Sequence, residues 1–379
     1  MKIYDKIYIN GEWRTPNSTA THDIINPATE EVVARIPLSD AQDVNDAVAA
    51  AKAAFVTWGK TSAQERSELI TAVAEKMSER RDDLAEAMSM SMGCPVEMTM
   101  GLQTVGPAYG MSTFAEKAKQ MEEVKEVKNS LVVKEPVGVC AFINPWNYPL
   151  NQFVGKVAPA LAAGCTMVVK PAEQTPLQDY IMAEIFHEVG LPAGVFNLVP
   201  GTGPEVGALM SEHKDVDMVS FTGSTRAGVM IAQAAAPSVK RVTQELGGKS
   251  PFIITAGANL EEAVEYGVED VMINTGQTCT ALTRMLVPAE QYEEAVAIAK
   301  KVAEAYTVGT GDAFMGPMVT ELQKNRVLSY IEKGIEEGAT LVTGGTDMPE
   351  GHDKGWYVKP TIFADVNNDM TIAKEEIFG

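Results

Sequence analysis

One sulfur, one carboxylate and one amide stand at points along the chain where their chemistry could be used. Cys279 closes the run Asn274-Thr275-Gly276-Gln277-Thr278-Cys279, whose glycine and small polar residues predict a tight, accessible turn. A thiolate there could attack an electrophilic carbon. A lone cysteine also serves commonly as a small buried apolar residue, and spacing alone leaves both readings open. Glu245 ends a strand-like run and precedes Leu246-Gly247-Gly248-Lys249. It could take a proton from water, or simply close a turn. Asn147 lies in Asn144-Pro145-Trp146-Asn147-Tyr148-Pro149, where flanking prolines fix the backbone. Its amide could face a developing negative charge, or fold back as an Asx-turn. Lys170-Pro171-Ala172-Glu173 and Thr222-Gly223-Ser224-Thr225 follow two further strand-like runs. Free N–H groups at a helix start after Gly223-Ser224 suit a phosphate.

The elements that must carry these groups follow from periodicity. Strand-like runs are Val137–Ile143, Thr166–Val169, Val195–Val199, Val216–Phe221, Val239–Glu245 and Phe252–Ile254. Helix-like segments separate them at Leu150–Ala163, Pro176–Val189, Pro204–Ser211 and Ser224–Ala235. This alternation predicts βαβ units, a mainly parallel sheet, and a ligand site beyond the carboxyl ends of its strands. Residues 3–36 read as one or two hairpins around Asn10-Gly11 and Asn26-Pro27, and residues 39–118 as helical. Met88, Met90, Met92, Met98 and Met100 are expected as core filler. The charged stretch 119–136 predicts a protruding strand pair or an ordinary edge strand. A second α/β alternation starts near residue 248. It has a helix to about Asn274, a strand near Met285–Val287, and helices over Gln291–Tyr306 and Glu321–Glu337. No GxGxxG motif occurs. Gly201-Thr202-Gly203 with Gly207 is a loose echo, so pattern alone does not establish dinucleotide binding.

Composition narrows the classes. The 379 residues carry 31 basic and 51 acidic side chains, a net charge of −20, which repels phosphate backbones and argues against nucleic-acid binding. The longest nearly apolar stretch, Val157 to Val169, is too short for a bilayer, which needs about 20 residues. No signal peptide is read, and a soluble, cytoplasmic protein is expected. Cys94, Cys140, Cys165 and Cys279 form no CxxC pair, and His22, His187, His213 and His352 are scattered. Neither a disulfide framework nor a metal site is expected.

The motifs, in their order, resemble the NAD(P)-dependent aldehyde dehydrogenase superfamily of the hydrolytic, acid-forming kind. They are Pro145-Trp146-Asn147-Tyr148-Pro149, Lys170-Pro171-Ala172-Glu173-Gln174-Thr175-Pro176, Phe221-Thr222-Gly223-Ser224-Thr225, Glu245-Leu246-Gly247-Gly248-Lys249-Ser250-Pro251, Gly276-Gln277-Thr278-Cys279 and Glu375-Glu376-Ile377-Phe378-Gly379. The resemblance covers essentially the whole chain. It implies an α/β fold of two Rossmann-like parallel-sheet domains with an oligomerisation hairpin. The expected NAD-binding domain spans 1–118 and 137–247, the protrusion 119–136, and the catalytic domain 248–379. It implies that Cys279 attacks an aldehyde carbon, that Asn147 stabilises the oxyanion, and that Glu245, partly buried with a raised pKa, activates the hydrolytic water. Lys170 and Glu173 would hold the adenosine ribose. Trp146, Gly223 and Ser224 would lie along the pyrophosphate, Glu376 on the nicotinamide ribose and Phe378 near the nicotinamide. Glu173 favours NAD, with NADP possible, because a 2′-phosphate would meet its charge.

A CoA-acylating semialdehyde dehydrogenase would lack the glutamate in its motif, and a silent structural relative would not need all three catalytic groups. Expected partners are a small-molecule aldehyde, no nucleic acid, no membrane, and a second copy in a homodimer or homotetramer of the full-length form. Tyr148, Asn151, Gln152, Gly155, Thr278 and Thr280 are expected to line the aldehyde entry. Gly155 stands where many relatives carry a bulky aromatic, which implies a pocket wider and more polar than that of a small-alkanal enzyme. The family's last motif continues beyond the position of Gly379, so the resemblance implies a C-terminally truncated chain with Glu376 and Phe378 loosely held.

Overall fold

A computed structural model describes residues 1–121 and 123–379, so residue 122 of the expected protrusion lies outside the described residues. The chain forms two compact units. The first comprises Met1–Ile25, Val32–Ser91 and Thr99–Leu246, and the second Asn26–Glu31, Met92–Met98 and Gly247–Gly379. Two short pieces of the 1–118 block therefore belong with the second unit.

In the first unit, β1 (Lys2–Ile3), β2 (Ile7–Ile9), β3 (Glu12–Arg14), β4 (Thr21–Asn26) and β5 (Glu31–Pro37) precede helices α1 (Ala41–Trp58), α2 (Ala63–Glu79) and α3 (Arg81–Met92). Asn10 and Gly11 both take positive φ, which a two-residue hairpin turn between β2 and β3 requires. Asp40 and Ser62 start α1 and α2 as capping boxes with Asp43 and Glu65. Ala47 and Ala51 are buried on α1, while Ala54 is half-buried. Met88 and Met92 are core, and Met90, Met98 and Met100 are only half-buried. A short turn, α4 (Val96–Met98), belongs to the second unit, and a π-helical segment, Thr99–Val105, runs into α5 (Gly106–Ala118). β6 (Lys125–Val127) and β7 (Ser130–Val132) form an exposed antiparallel hairpin.

The α/β region follows as β8 (Val139–Ile143), α6 (Pro149–Ala163), β9 (Thr166–Lys170), α7 (Leu177–Glu188), β10 (Phe196–Leu198), α8 (Ala208–Glu212), β11 (Met218–Thr222), α9 (Thr225–Ala235) and β12 (Arg241–Glu245). The expected helix over Pro204–Ser211 divides into a π-helical turn, Gly203–Gly207, and α8. Seven strands join in the order β12-β11-β8-β9-β10-β2-β3. The first five are parallel, and the β2–β3 hairpin closes one side antiparallel. β8 and β9 are buried along their whole length, as central parallel strands must be when both faces are covered. Period-two alternation sends Cys140 and Phe142 into one core with Phe153, Met167 and Phe186, and Val139, Ala141 and Ile143 into the other with Val168, Val219 and Phe221. Cys140 and Cys165, distant in sequence, have thiols facing each other in the first of these cores.

The second unit contains α10 (Leu260–Met272), α11 (Tyr292–Ala305) and α12 (Glu321–Glu336), with a short α13 (Thr371–Lys374). The expected helix to Asn274 stops at Met272, because Asn274, Thr275 and Gly276 turn to positive φ. Among the described residues its sheets are small. β13 (Pro251–Ile253) pairs parallel with β14 (Arg284–Leu286), and β15 (Thr340–Thr343) pairs antiparallel with β16 (Ile362–Ala364). A largely apolar cleft of about 310 Å³ opens between these elements, lined by Val268, Met272, Met285, Ile331 and Ile377. No helix among the described residues is long and apolar enough to cross a membrane.

Candidate active site

Sheet order decides where the first unit gathers its chemistry. From β8 the chain steps outward through β9 and β10, then returns to lay β11 on the other flank of β8. Loops leaving β8 and β11 therefore diverge, which opens a crevice at their carboxyl ends. Around it stand the Asn144–Tyr148 loop after β8, Lys170 at the end of β9, Gly223 and Ser224 after β11, and Glu245 ending β12.

Asn147 is buried at 3% exposure, and its carbonyl accepts from Gln103 Nε2 at 3.1 Å. Gln103 belongs to the π-helical segment, a geometry that often marks functional sites. Trp146 is half-buried, and its carbonyl accepts from Thr175 Oγ1 at 3.2 Å. Lys170 is buried, its Nζ donating to Glu173 Oε2 at 3.1 Å, Pro171 O at 2.7 Å and Gly201 O at 3.0 Å. The three protons of Nζ are thus all taken up within the protein, which leaves the half-buried Glu173 as the acceptor of the pair. Gly223 N donates to Glu245 O at 3.0 Å, and a Cβ on Gly223 would meet the Phe221 ring at 2.6 Å. Ser224 caps α9 through its hydroxyl, which accepts from Ala227 N at 3.3 Å, and the helix start is exposed.

Glu245 departs from expectation. It is exposed rather than partly buried, because β12 is the edge strand and alternate side chains, Glu245 included, point to solvent. Near it lies a group that sequence reasoning missed. Lys156, the single charged residue in the apolar α6, is buried and donates to Thr222 Oγ1 at 2.9 Å and Gln152 Oε1 at 3.2 Å. Burial lowers its pKa to about 8, against an opposing pull from Glu245 and Asp179. Its signal was available: a lone lysine in an apolar helix, four residues after Gln152.

Cys279, Glu376 and Phe378 belong to the second unit. Three successive left-handed residues, Asn274, Thr275 and Gly276, lead into the cysteine turn. For asparagine and threonine this backbone is costly and must be held by its surroundings. The Asn274 and Gln277 side chains donate to each other's carbonyls at 3.3 and 3.0 Å, Thr275 Oγ1 donates to Gly316 O at 3.1 Å, and Val319 N donates to Gln277 Oε1 at 2.9 Å. Cys279 emerges half-buried, whereas Cys94, Cys140 and Cys165 are buried. Gly248 lies close to the turn: a Cβ there would stand 3.0 Å from Cys279 O, a tight contact that the turn would have to relieve by a small shift.

Glu376 Oε1 accepts from Gly248 N at 3.0 Å. The expected looseness of Glu376 and Phe378 is not found. Arg326 donates to Glu376 O at 2.8 Å, Gln323 donates to Phe378 O at 2.7 Å, and Tyr330 donates to Glu375 Oε2 at 2.7 Å, so α12 ties this stretch down. Lys249 is half-buried, and desolvation, with Arg284 nearby, lowers its pKa to about 8. Of the expected entry residues, Gly155 has open space beside it: a Cβ at that position would meet nothing within 4 Å. No cluster of three or more His, Cys, Asp or Glu suited to a metal occurs among the described residues.

Comparison with known proteins agrees on one family. The family model described as the aldehyde dehydrogenase family matches residues 13–379. The chain is 46% identical to a 3-succinoylsemialdehyde-pyridine dehydrogenase from Pseudomonas sp, over all of this chain and 80% of that protein. Among solved structures, a cysteine-to-alanine mutant of aldehyde dehydrogenase C from Pseudomonas syringae, complexed with NAD+ and octanal, superposes with a TM-score of 0.97. It is 46% identical over 99% of this chain and 78% of that one. A Mycobacterium tuberculosis aldehyde dehydrogenase complexed with NAD+ gives 0.96 at 42% identity, over 100% of this chain and 80% of that one.

Proposed function

The chain belongs to the aldehyde dehydrogenase family, and we propose that it oxidises an aldehyde to a carboxylic acid with NAD, through a thioester on Cys279. The observation that carries this reading is the Cys279 turn. Its left-handed lead-in is clamped by four side-chain hydrogen bonds, and it holds out the one cysteine of four that is not buried. A fold that stores such strain around a thiol has a use for its position.

The residues of the first unit fit the cofactor. The Glu173 carboxylate, held by Lys170, offers an acceptor to a ribose diol, Lys170 would donate to it by exchanging one of its carbonyl partners, and the exposed start of α9 offers N–H groups to a pyrophosphate. Glu173 opposes a 2′-phosphate, which favours NAD over NADP. In the second unit, Glu376 and Phe378 would take the nicotinamide ribose and ring. When bound, NAD supplies a hydride acceptor.

The chain's own groups do the rest. The Cys279 thiolate adds to the aldehyde carbon, and the new oxyanion takes hydrogen bonds from the Asn147 side chain and the Cys279 N–H. Such donors lower the barrier by about 3–4 kcal/mol each. Loss of hydride leaves an acyl thioester. Glu245 removes a proton from water, the resulting hydroxide attacks the acyl carbon, and the carbon–sulfur bond breaks to release acid and thiolate. An exposed carboxylate at a strand end is open to that water. The bare Gly155 favours long or ring-bearing aldehydes over the smallest ones. The exposed β6–β7 hairpin is the element by which copies would assemble, and its apolar Val127, Leu131 and Val132 support that role.

The test is NADH absorbance with aldehydes running from acetaldehyde to octanal and pyridine-bearing semialdehydes, with and without CoA. NADH formation independent of CoA is expected. Formation only when CoA is present would assign the chain to the acylating branch.

A further inference from the structure

The β9–α7 loop reaches the Trp146 loop through Thr175, and the first turn of α7 holds Thr175 in turn. Thr175 Oγ1 donates to Trp146 O at 3.2 Å, and Gln178 Nε2 donates to Thr175 O at 2.6 Å and also to the Asp179 carboxyl. The two loops meet where Asn144 N donates to Lys170 O at 3.1 Å. Asp179 lies behind that meeting point at 1% exposure. Lys170 from β9, Lys156 from α6 and the Asn144 side chain from the β8 loop all face it, with Tyr180 beside it on its own helix. The Asn144 amide approaches the carboxyl without closing a well-formed hydrogen bond. Both its polar atoms, Asp179 Oδ1 and Gln178 Oε1, have no partner among the described residues. Such an arrangement is poor for stability. Around it α7 buries Leu177, Ile181, Met182, Ile185 and Phe186, and an apolar side chain at position 179 would pack without desolvating a carboxyl. A buried carboxyl kept in an apolar helix face, behind two loops that carry site residues, has its explanation in those loops.

We propose that Asp179 is a positioning residue of the cofactor cradle, setting the Trp146–Asn147 loop against the Lys170 strand end and thereby the affinity for the adenosine half of NAD. This rests on the NAD reading above. Burial raises the Asp179 pKa to about 8, so at neutral pH the group is an uncharged hydrogen-bonding acid. Above that pH it gains a negative charge behind a cradle whose ligand carries an anionic pyrophosphate, and affinity falls. Lys156 titrates in the same range and feels Asp179, so parent and Asp179→Asn are also compared in a Lys156→Met background, where a remaining difference belongs to Asp179.

The experiment is an NADH fluorescence titration of the intact chain, with Asp179→Asn and Asp179→Leu, from pH 6.5 to 9.5, each with its melting temperature. Asparagine copies the uncharged acid, so at pH 7 its dissociation constant should stay within about twofold of the parent. Leucine removes the brace, and binding should weaken about tenfold while melting is unchanged or higher. Parent affinity should fall through pH 8 more steeply than that of Asp179→Asn. Unchanged binding by a folded Asp179→Leu overturns the proposal, and so do coincident pH profiles of parent and Asp179→Asn. Should the leucine variant fail to fold, the pH comparison decides alone. A parent that binds no NADH at any pH overturns the NAD reading itself and this proposal with it.

Discussion

Cys279 is set apart from the other three cysteines by its backbone rather than by its sulfur. The left-handed run Asn274–Gly276 lifts it out of the core, while Cys94, Cys140 and Cys165 pack inside. Cys279→Ala should therefore reduce aldehyde oxidation to below about one per cent of the parent and leave NADH binding nearly intact. Retained turnover above that level, measured by NADH absorbance, removes Cys279 from the nucleophile role. Glu245→Gln should slow thioester hydrolysis more than hydride transfer, giving a burst of NADH and then a slow steady state. Equal slowing of both phases in stopped flow assigns Glu245 some other task. The placement of Asn147 and Glu245 at strand ends and of Cys279 in a turn was legible, because each sits in a motif with punctuating glycine or proline. Gln103, Lys156 and Asp179 were not, because each is a single polar residue inside a helix, and helix periodicity reads such residues as interruptions of an apolar face. The exposure of Glu245 was also hidden, since edge and central strands share a pattern until the sheet order is known.

Strand ends were the informative elements. The parallel runs and their connecting helices lie within two residues of the boundaries read from alternation, apart from Pro204–Ser211, whose first half is π-helical, because β-branched runs and Gly/Pro punctuation act locally. Contacts between distant segments were not readable. The β2–β3 hairpin joins the large sheet, two short pieces of the first hundred residues belong to the second unit, and Cys140 faces Cys165. Each depends on which strands become neighbours. Helix α6 carries an electrostatic prediction. Lys156 is depressed from 10.5 to about 8 by burial, so between those values the unfolded chain holds a proton that the folded chain has released. Unfolding free energy then rises with pH through that window, and at neutral pH the buried ammonium costs up to about 3 kcal/mol. Lys156→Met should raise stability to urea at pH 7 and flatten its rise between pH 8 and 10.5. A variant less stable than the parent at pH 7, with the slope unchanged, contradicts this account of α6.

At the scale of the whole molecule, the β6–β7 hairpin bears exposed Val124, Val127, Leu131, Val132 and Val133, more apolar surface than a solvated turn calls for. Soluble homo-oligomers close with point symmetry, and an exposed strand pair offers itself to a second copy. Replacing residues 124–133 with a glycine–serine linker should lower the mass seen by light scattering, and an unchanged mass refutes the assembly role. The proposed mechanism rests on one central claim, that a covalent acyl group passes through the Cys279 sulfur. Intact-mass and peptide mass spectrometry of Glu245→Gln, incubated with octanal and NAD+, tests this most directly, and a single turnover followed over hours registers even a slow enzyme. The expected result is one octanoyl adduct on the peptide containing Cys279, formed only when NAD+ is present. An adduct that forms without NAD+, maps to another cysteine, or never appears while NADH accumulates would contradict the account.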